Sequence, residues 1–217
     1  MRPDGNSARV RDAVAILLVA AGYLSAFAGL LTRIGDEGTL VHGAAMTAAG
    51  ATPYRDFADL VNPLSYYWLA AWFSVFGTSF AVARWQLVFT GALTAALVYW
   101  LAARAYGVRA GVQAALFALV LGIPLWPGTN HHWDSNLFFL ASIGCLAWWQ
   151  VRGGLLPGCL AGACAAMTSG FVIDKGALAC LVGLVVAWNG VPATSAAGTG
   201  ATTGRRASAT HRWTAMA

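Results

Sequence analysis

The sequence predicts an all-α fold, a polytopic membrane bundle of about six transmembrane helices with short interfacial helices in its first outer loop. Two observations carry this expectation. Of the 217 residues, 59% are apolar and 10% charged, against about 25% charged in an average soluble protein, and the mean hydropathy is +0.64. The few charges are also spaced so that apolar stretches near the length of a bilayer-spanning helix, about 20 residues for about 30 Å of hydrocarbon, lie between them. The same balance excludes a disordered or nucleic-acid-binding chain, which needs low hydrophobicity and high charge. A net charge of +5 therefore has meaning only through the loops that carry it.

The elements follow in order. Residues 1–12 read as a cytoplasmic N-terminus and residues 13–190 as the transmembrane domain. The first span, Ala13 to Thr32, lies between Asp12 and Arg33. Three arginines precede it and Ala26-Phe27-Ala28 resembles a cleavage site, but the apolar run is long for a secretory signal, so an uncleaved signal anchor is the better reading. Trp85 to Ala103 and Ala110 to Trp126 form the second and third spans. Ser135 to Val151, Gly153 to Ile173 and Gly176 to about Trp188 form the fourth to sixth, the last being short. Residues 191–217, rich in Ala, Thr, Ser and Gly, read as a disordered tail.

Arg and Lys in short loops favour the cytoplasmic side. With the N-terminus inside, nine of the twelve arginines fall inside, whereas six of the eight acids (Asp36, Glu37, Asp56, Asp59, Asp134 and Asp174) fall outside. Both termini are then cytoplasmic and the chain sits in the inner (plasma) membrane. The abundance of Arg, Ala and Gly with a single lysine is a bacterial composition. The four cysteines (Cys145, Cys159, Cys164, Cys180) lie inside apolar runs and read as small core residues.

The outer loop, residues 33–84, is too apolar for a free loop and too interrupted for two spans. Asp36-Glu37 can open a short helix that stops at Gly50. Asn62 offers an N-cap with Pro63 at the first helical position, and the helix from Leu64 ends at Gly77. At about 21 Å it is short of a span, and its aromatic residues suit the membrane interface.

Asp36-Glu37-Gly38, Thr52-Pro53-Tyr54-Arg55-Asp56-Phe57, Asn62-Pro63-Leu64-Ser65-Tyr66-Tyr67-Trp68 and Phe76-Gly77, in this order after the first span, resemble the N-terminal part of the GT-C membrane glycosyltransferases. The branch resembled contains the protein O-mannosyltransferases and the aminoarabinose transferase of lipid A. The resemblance covers about residues 12 to 190. It implies an enzyme that moves a sugar from a polyprenyl-phosphate donor to an acceptor at the outer face. It further implies that the acid pair carries the base, which maps onto Asp36 with Glu37 beside it, since a carboxylate can take the proton of an acceptor hydroxyl.

Candidate substrate-binding residues are Tyr54, Arg55, Asp56, Asn62, Asp134 and Lys175. A guanidinium such as Arg55 offers two parallel donors to a phosphate; Arg55 and Asp56 could equally form a local surface pair. Asn62 is the better reading as a helix cap than as a ligand. The resemblance places an acid near the active site at Asp134, against a capping role for Asp134 or Ser135. Lys175, the single lysine, maps onto a phosphate-facing cation or belongs to a charged turn with Asp174. His131 and His132 beside Asp134 are metal-ligand types, but adjacent histidines seldom face one ion, and no metal site is expected. A divalent cation held by Asp134 with Asp36 or Glu37 is the one candidate cofactor.

Members of the resembled family are longer, with further spans, so a truncated product or a second chain supplying the missing spans is expected. The partners expected are therefore the polyprenyl-phosphate donor, the bilayer and that second chain, with no nucleic acid. The alternative to a transferase is a noncatalytic membrane protein, an inactive remnant or scaffold. A transporter is disfavoured because the ionisable groups collect at one face.

Overall fold

The computed structural model describes residues 4–30 and 35–189. The expected tail, residues 191–217, lies outside the described residues. Among those described, eight α-helices and one 3-10 turn form the fold and no strand occurs. The helices are α1 (Asp4–Ser25), α2 (Gly35–Ala48), α3 (Pro63–Phe76), α4 (Phe80–Tyr106), α5 (Val108–Leu121), α6 (His131–Arg152), α7 (Leu155–Phe171) and α8 (Ile173–Trp188), with the 3-10 turn Ile123–Leu125 after α5. Every expected helix is present.

Boundaries follow local chemistry. The Ser79 hydroxyl accepts from Val82 N at 3.2 Å and starts α4. Gly107, at φ 93°, stops α4 and turns the chain into α5, a conformation that a side chain would strain. Pro63 opens α3, where a missing N–H costs nothing. The first helix departs most from expectation. It begins at Asp4, so residues expected as a tail continue the helix, and it ends at Ser25, seven residues before the expected end. Asp12 is tolerated inside it because the Tyr99 hydroxyl donates to its carboxylate at 3.2 Å.

Two helices, Phe80–Tyr106 and Val108–Leu125, are long and apolar enough to cross a membrane. The other four candidates fall short for identifiable reasons. Helix α1 carries Asp4, Arg9, Arg11 and Asp12, and α6 opens on His131-His132-Trp133-Asp134. Helices α7 and α8 have 17 and 16 residues, so each is about 25 Å long.

Helices α1, α4 and α5 pack together through Ala20, Leu24, Leu87, Val88, Ala92, Ala95, Leu119 and Ile123. A Cβ on Gly111 would lie 2.7 Å from Ala103 Cβ and 2.9 Å from Tyr99 O, so α4 and α5 approach closely only because that position is glycine. Helices α6, α7 and α8 form a second group, in which the Ser142 hydroxyl donates to Ala161 O at 3.0 Å. Helix α3 bridges the groups: Leu64 meets Gly170 of α7, Trp68 packs edge-on against Phe138 and Phe171, and Trp72 packs against Phe89 of α4. Helix α2 packs on α3 through Leu40, Val41, Ala44, Tyr66, Leu69 and Phe73.

This threading gives the bundle two unlike ends. The starts of α2, α4, α6 and α8 share one end with the 52–62 connection. The starts of α1, α5 and α7 share the other with the C-terminal turns of α4 and α6, which carry Arg104 and Arg152.

Candidate functional site

Glu37, in the first turn of α2, is 4% exposed. It does not face solvent. Arg84 donates to it through Nε and Nη2, both at 2.5 Å, and Thr129 N donates to Oε1 at 2.8 Å. Arg84 also donates from Nη1 to Pro127 O at 2.5 Å. One ion pair thus joins the start of α2, the first turns of α4 and the connection between α5 and α6. An arginine at the start of an apolar helix needs a carboxylate or carbonyl partner once buried; that is the sequence signal by which Arg84, until now only a loop boundary, could have been found. Asp36 immediately precedes Glu37 in the same turn of α2, and its side chain lies outside the described residues.

A second buried carboxylate sits on the first turn of α6. Asp134, 5% exposed, accepts from Gln86 Nε2 at 2.6 Å and from the Thr90 hydroxyl at 2.8 Å, and Gln86 also donates to Thr90 Oγ1 at 2.9 Å. Gln86 and Thr90 stand one turn apart on α4 and so share a face. Trp68 lies close to this carboxylate, but its buried Nε1 makes no hydrogen bond of ordinary geometry. No cation pairs with Asp134 among the described residues. The expected alternative, a capping role for Asp134 or Ser135, is corrected: Asn130 is the cap, its side chain accepting from His132 N at 2.9 Å.

Lys175 approaches the same turn of α6 from α8. Its Nζ donates to Asn136 Oδ1 at 2.6 Å, Ser135 Oγ at 3.1 Å and His132 O at 3.3 Å. All three acceptors are neutral, so the ammonium is held without being neutralised. A cleft of about 260 Å³ at the same end is lined by Leu60, Asn62, His131, Phe171, Val172, Ile173 and Asp174, and not by Lys175 itself. Asn62 was expected to cap α3, yet its side chain makes no cap bond, and its amide instead reaches Ser169 O at 3.5 Å. The structure therefore brings Asn62, Asp134 and Lys175 around the start of α6.

Tyr54, Arg55 and Asp56 form a separate loop. Tyr54 lies at φ 66°, a conformation unusual for a bulky residue. It is held by Tyr54 N donating to Phe57 O at 2.8 Å and by its hydroxyl donating to Val61 O at 2.6 Å. Thr52 N donates to Asp56 Oδ2 at 2.7 Å, and Arg55 donates to both Asp56 oxygens at 3.0 and 2.7 Å. The Arg55 bond, followed by the Thr52 N–H, holds the Asp56 carboxyl down to about 2. None of the described hydrogen bonds of these three residues reaches α6 or α8.

The rings of His131 and His132 lie 4.4 Å apart, and among the described residues no group of three His, Cys, Asp or Glu could hold a metal ion. No family model, curated protein or solved structure matches the chain.

Proposed function

We propose that the chain is a six-span membrane protein, spanned by α1, α4, α5, α6, α7 and α8, with the acid-bearing end outward and both termini in the cytoplasm. The polarity of the bundle supports the spans. Val10, Val14 and Leu18 of α1, Leu116, Phe117 and Leu121 of α5, and Leu181 and Leu184 of α8 are exposed, while Gln86, Thr90, Asp134, Ser135, Ser142 and Thr168 are buried. Apolar faces outside and satisfied polar groups inside suit a hydrocarbon solvent. Cysteine labelling of a variant without native cysteines should mark position 56 from outside and spare position 206. The reverse pattern refutes the orientation.

At the outward end, the proposed activity is transfer of a sugar from a polyprenyl phosphate to an acceptor hydroxyl. Asp36 takes the hydroxyl proton as the acceptor oxygen bonds to the anomeric carbon; the bond from that carbon to the phosphate oxygen breaks, and the polyprenyl phosphate leaves with the electron pair. The observation that carries this reading is Lys175, whose ammonium is held only by three neutral acceptors at the start of α6, so that a phosphate brought to it would meet a cation with no carboxylate partner. Arg55 could serve only by exchanging Asp56 for phosphate.

Full-length chain in membranes, supplied with labelled polyprenyl-phosphate sugars, tests the reading. Asp36→Asn should lower turnover by about 10² to 10⁴ while donor binding persists, and Lys175→Ala should weaken donor binding. Turnover of Asp36→Asn within about threefold of the parent refutes the base. A second reading, a noncatalytic scaffold, is favoured by one observation: Glu37, half of the acid pair, is consumed in a buried ion pair. Absence of turnover by the parent with every donor and neighbouring chain supplied would select it.

A further inference from the structure

The end of the bundle opposite the acids carries charges that the proposed activity does not use. Helices α1, α4 and α5 converge there on Tyr99, Ala103 and Ala115, with Ala13, Ile16 and Trp100 packed around them. Arg104 lies in the last turn of α4 and Arg109 in the first turn of α5, on either side of the Gly107 turn. Arg9 lies on α1, one turn before Ala13, and acts electrostatically on Tyr99. The Arg104 guanidinium sits 5.4 Å above the centre of the Trp100 ring, a contact that keeps a cation at the edge of an apolar surface.

The neighbouring acid is already engaged: Asp12 accepts from Tyr99 and pairs with Arg11 at 3.5 Å. No carboxylate among the described side chains lies within ion-pair distance of Arg9, Arg104 or Arg109. The surroundings are interfacial, with Tyr106 77% exposed and Val108, next to Arg109, 46% exposed. Three guanidiniums with no carboxylate partner among the described side chains, beside exposed aromatic and aliphatic groups, complement a ligand that is anionic at its head and apolar at its tail.

We infer that Arg9, Arg104 and Arg109, gathered at the base of α1, α4 and α5, bind the phosphate headgroups of anionic phospholipids. The site rests on the membrane reading and is independent of the transferase reading. Guanidiniums take phosphate oxygens pairwise, and the acyl chains lie along the exposed faces of α1 and α5.

The test uses full-length chain in an uncharged detergent, after confirming that it stays with carbonate-washed membranes; release from them fails the membrane reading itself. Phosphatidylglycerol and phosphatidylcholine are offered in equal amounts and the lipid retained is read by native mass spectrometry. Phosphatidylglycerol should be retained preferentially, each of Arg9→Gln, Arg104→Gln and Arg109→Gln should cost about fivefold in its binding, and the triple variant should lose the preference. Equal retention of the two lipids by the parent overturns the inference, as does a preference undiminished in the single variants, which remain informative where the triple variant fails to fold. Release of phosphatidylglycerol by inorganic phosphate at equal concentration overturns the lipid as the ligand.

Discussion

The two buried carboxylates at the acid-bearing end solve the same problem in opposite ways. Glu37 is answered by a full positive charge, with Arg84 and Thr129 N on its two oxygens. Asp134 is answered by an amide and a hydroxyl, neutral donors on one face of α4. Removing one half of an ion pair leaves the other half as an uncompensated buried charge. Removing the charge from a carboxylate held by neutral donors leaves nothing unbalanced. The first arrangement is therefore a brittle fastening between α2, α4 and the connection before α6, whereas the second can change its own charge and keep its neighbours.

Arg84→Ala should have the largest effect, destabilising by about 3 to 5 kcal/mol in equilibrium unfolding from mixed micelles, because Glu37 stays buried without its partner. The paired change Glu37→Leu with Arg84→Met should recover most of that loss. A double variant as unstable as Arg84→Ala would mean that the pair does more than neutralise itself. Next comes Thr90→Val, which removes a donor to Asp134 and keeps the shape; about 1 to 2 kcal/mol is expected by the same measurement. Asp134→Asn sharpens the contrast. The amide oxygen still accepts from Gln86 and Thr90 while the buried charge disappears, so the change should stay within about 1 kcal/mol or stabilise. A loss comparable to that of Arg84→Ala would collapse the distinction between the two carboxylates.

The smallest effect belongs to the exposed pair Arg55 and Asp56. The folded carboxyl is held down to about 2 from an ordinary 3.8, so the folded state binds its proton more weakly than the unfolded state. Whatever stability the pair contributes is present above about pH 4 and is lost as pH falls towards 2. With both groups exposed, screening keeps that contribution small. The unfolding midpoints of the parent and Asp56→Asn should run parallel from pH 7 to 5 and converge only below 4. Convergence near pH 6 would point to a different titrating group.

Local chemistry made much of the helical layout legible. Asn62-Pro63 and Gly77 bracket α3, and the fourteen residues between them match the helix found. The breaks after α4 and α6 were expected from the charges that bound the apolar runs, and the structure places Gly107 and Gly153 there. These are short-range statements, since a proline lacks a donor and a glycine accepts φ above zero wherever it stands. The first helix resisted the same treatment. Charges at Arg9, Arg11 and Asp12 looked like the end of an apolar segment, yet the helix runs through them because Tyr99, 87 residues away, supplies a donor to Asp12.

The candidate site was legible as residue types and not as an arrangement. Asp36-Glu37, Asp134 and Lys175 stand out in an apolar chain because charge is scarce there, and scarcity is a property of sequence. Which of them is spent on packing is decided elsewhere. Arg84 meets Glu37 across 47 positions, Gln86 meets Asp134 across 48, and Thr129 meets Glu37 across 92. Helical periodicity specifies a face but not the neighbour that covers it. The sequence by itself determined an all-helical chain and the scarcity of its charges, because these depend on hydrophobicity and backbone chemistry within a few residues. Only the tertiary structure decided that Glu37 is fastened to Arg84 and that Asp134 and Lys175 have neutral partners, because desolvation and pairing depend on which helices touch.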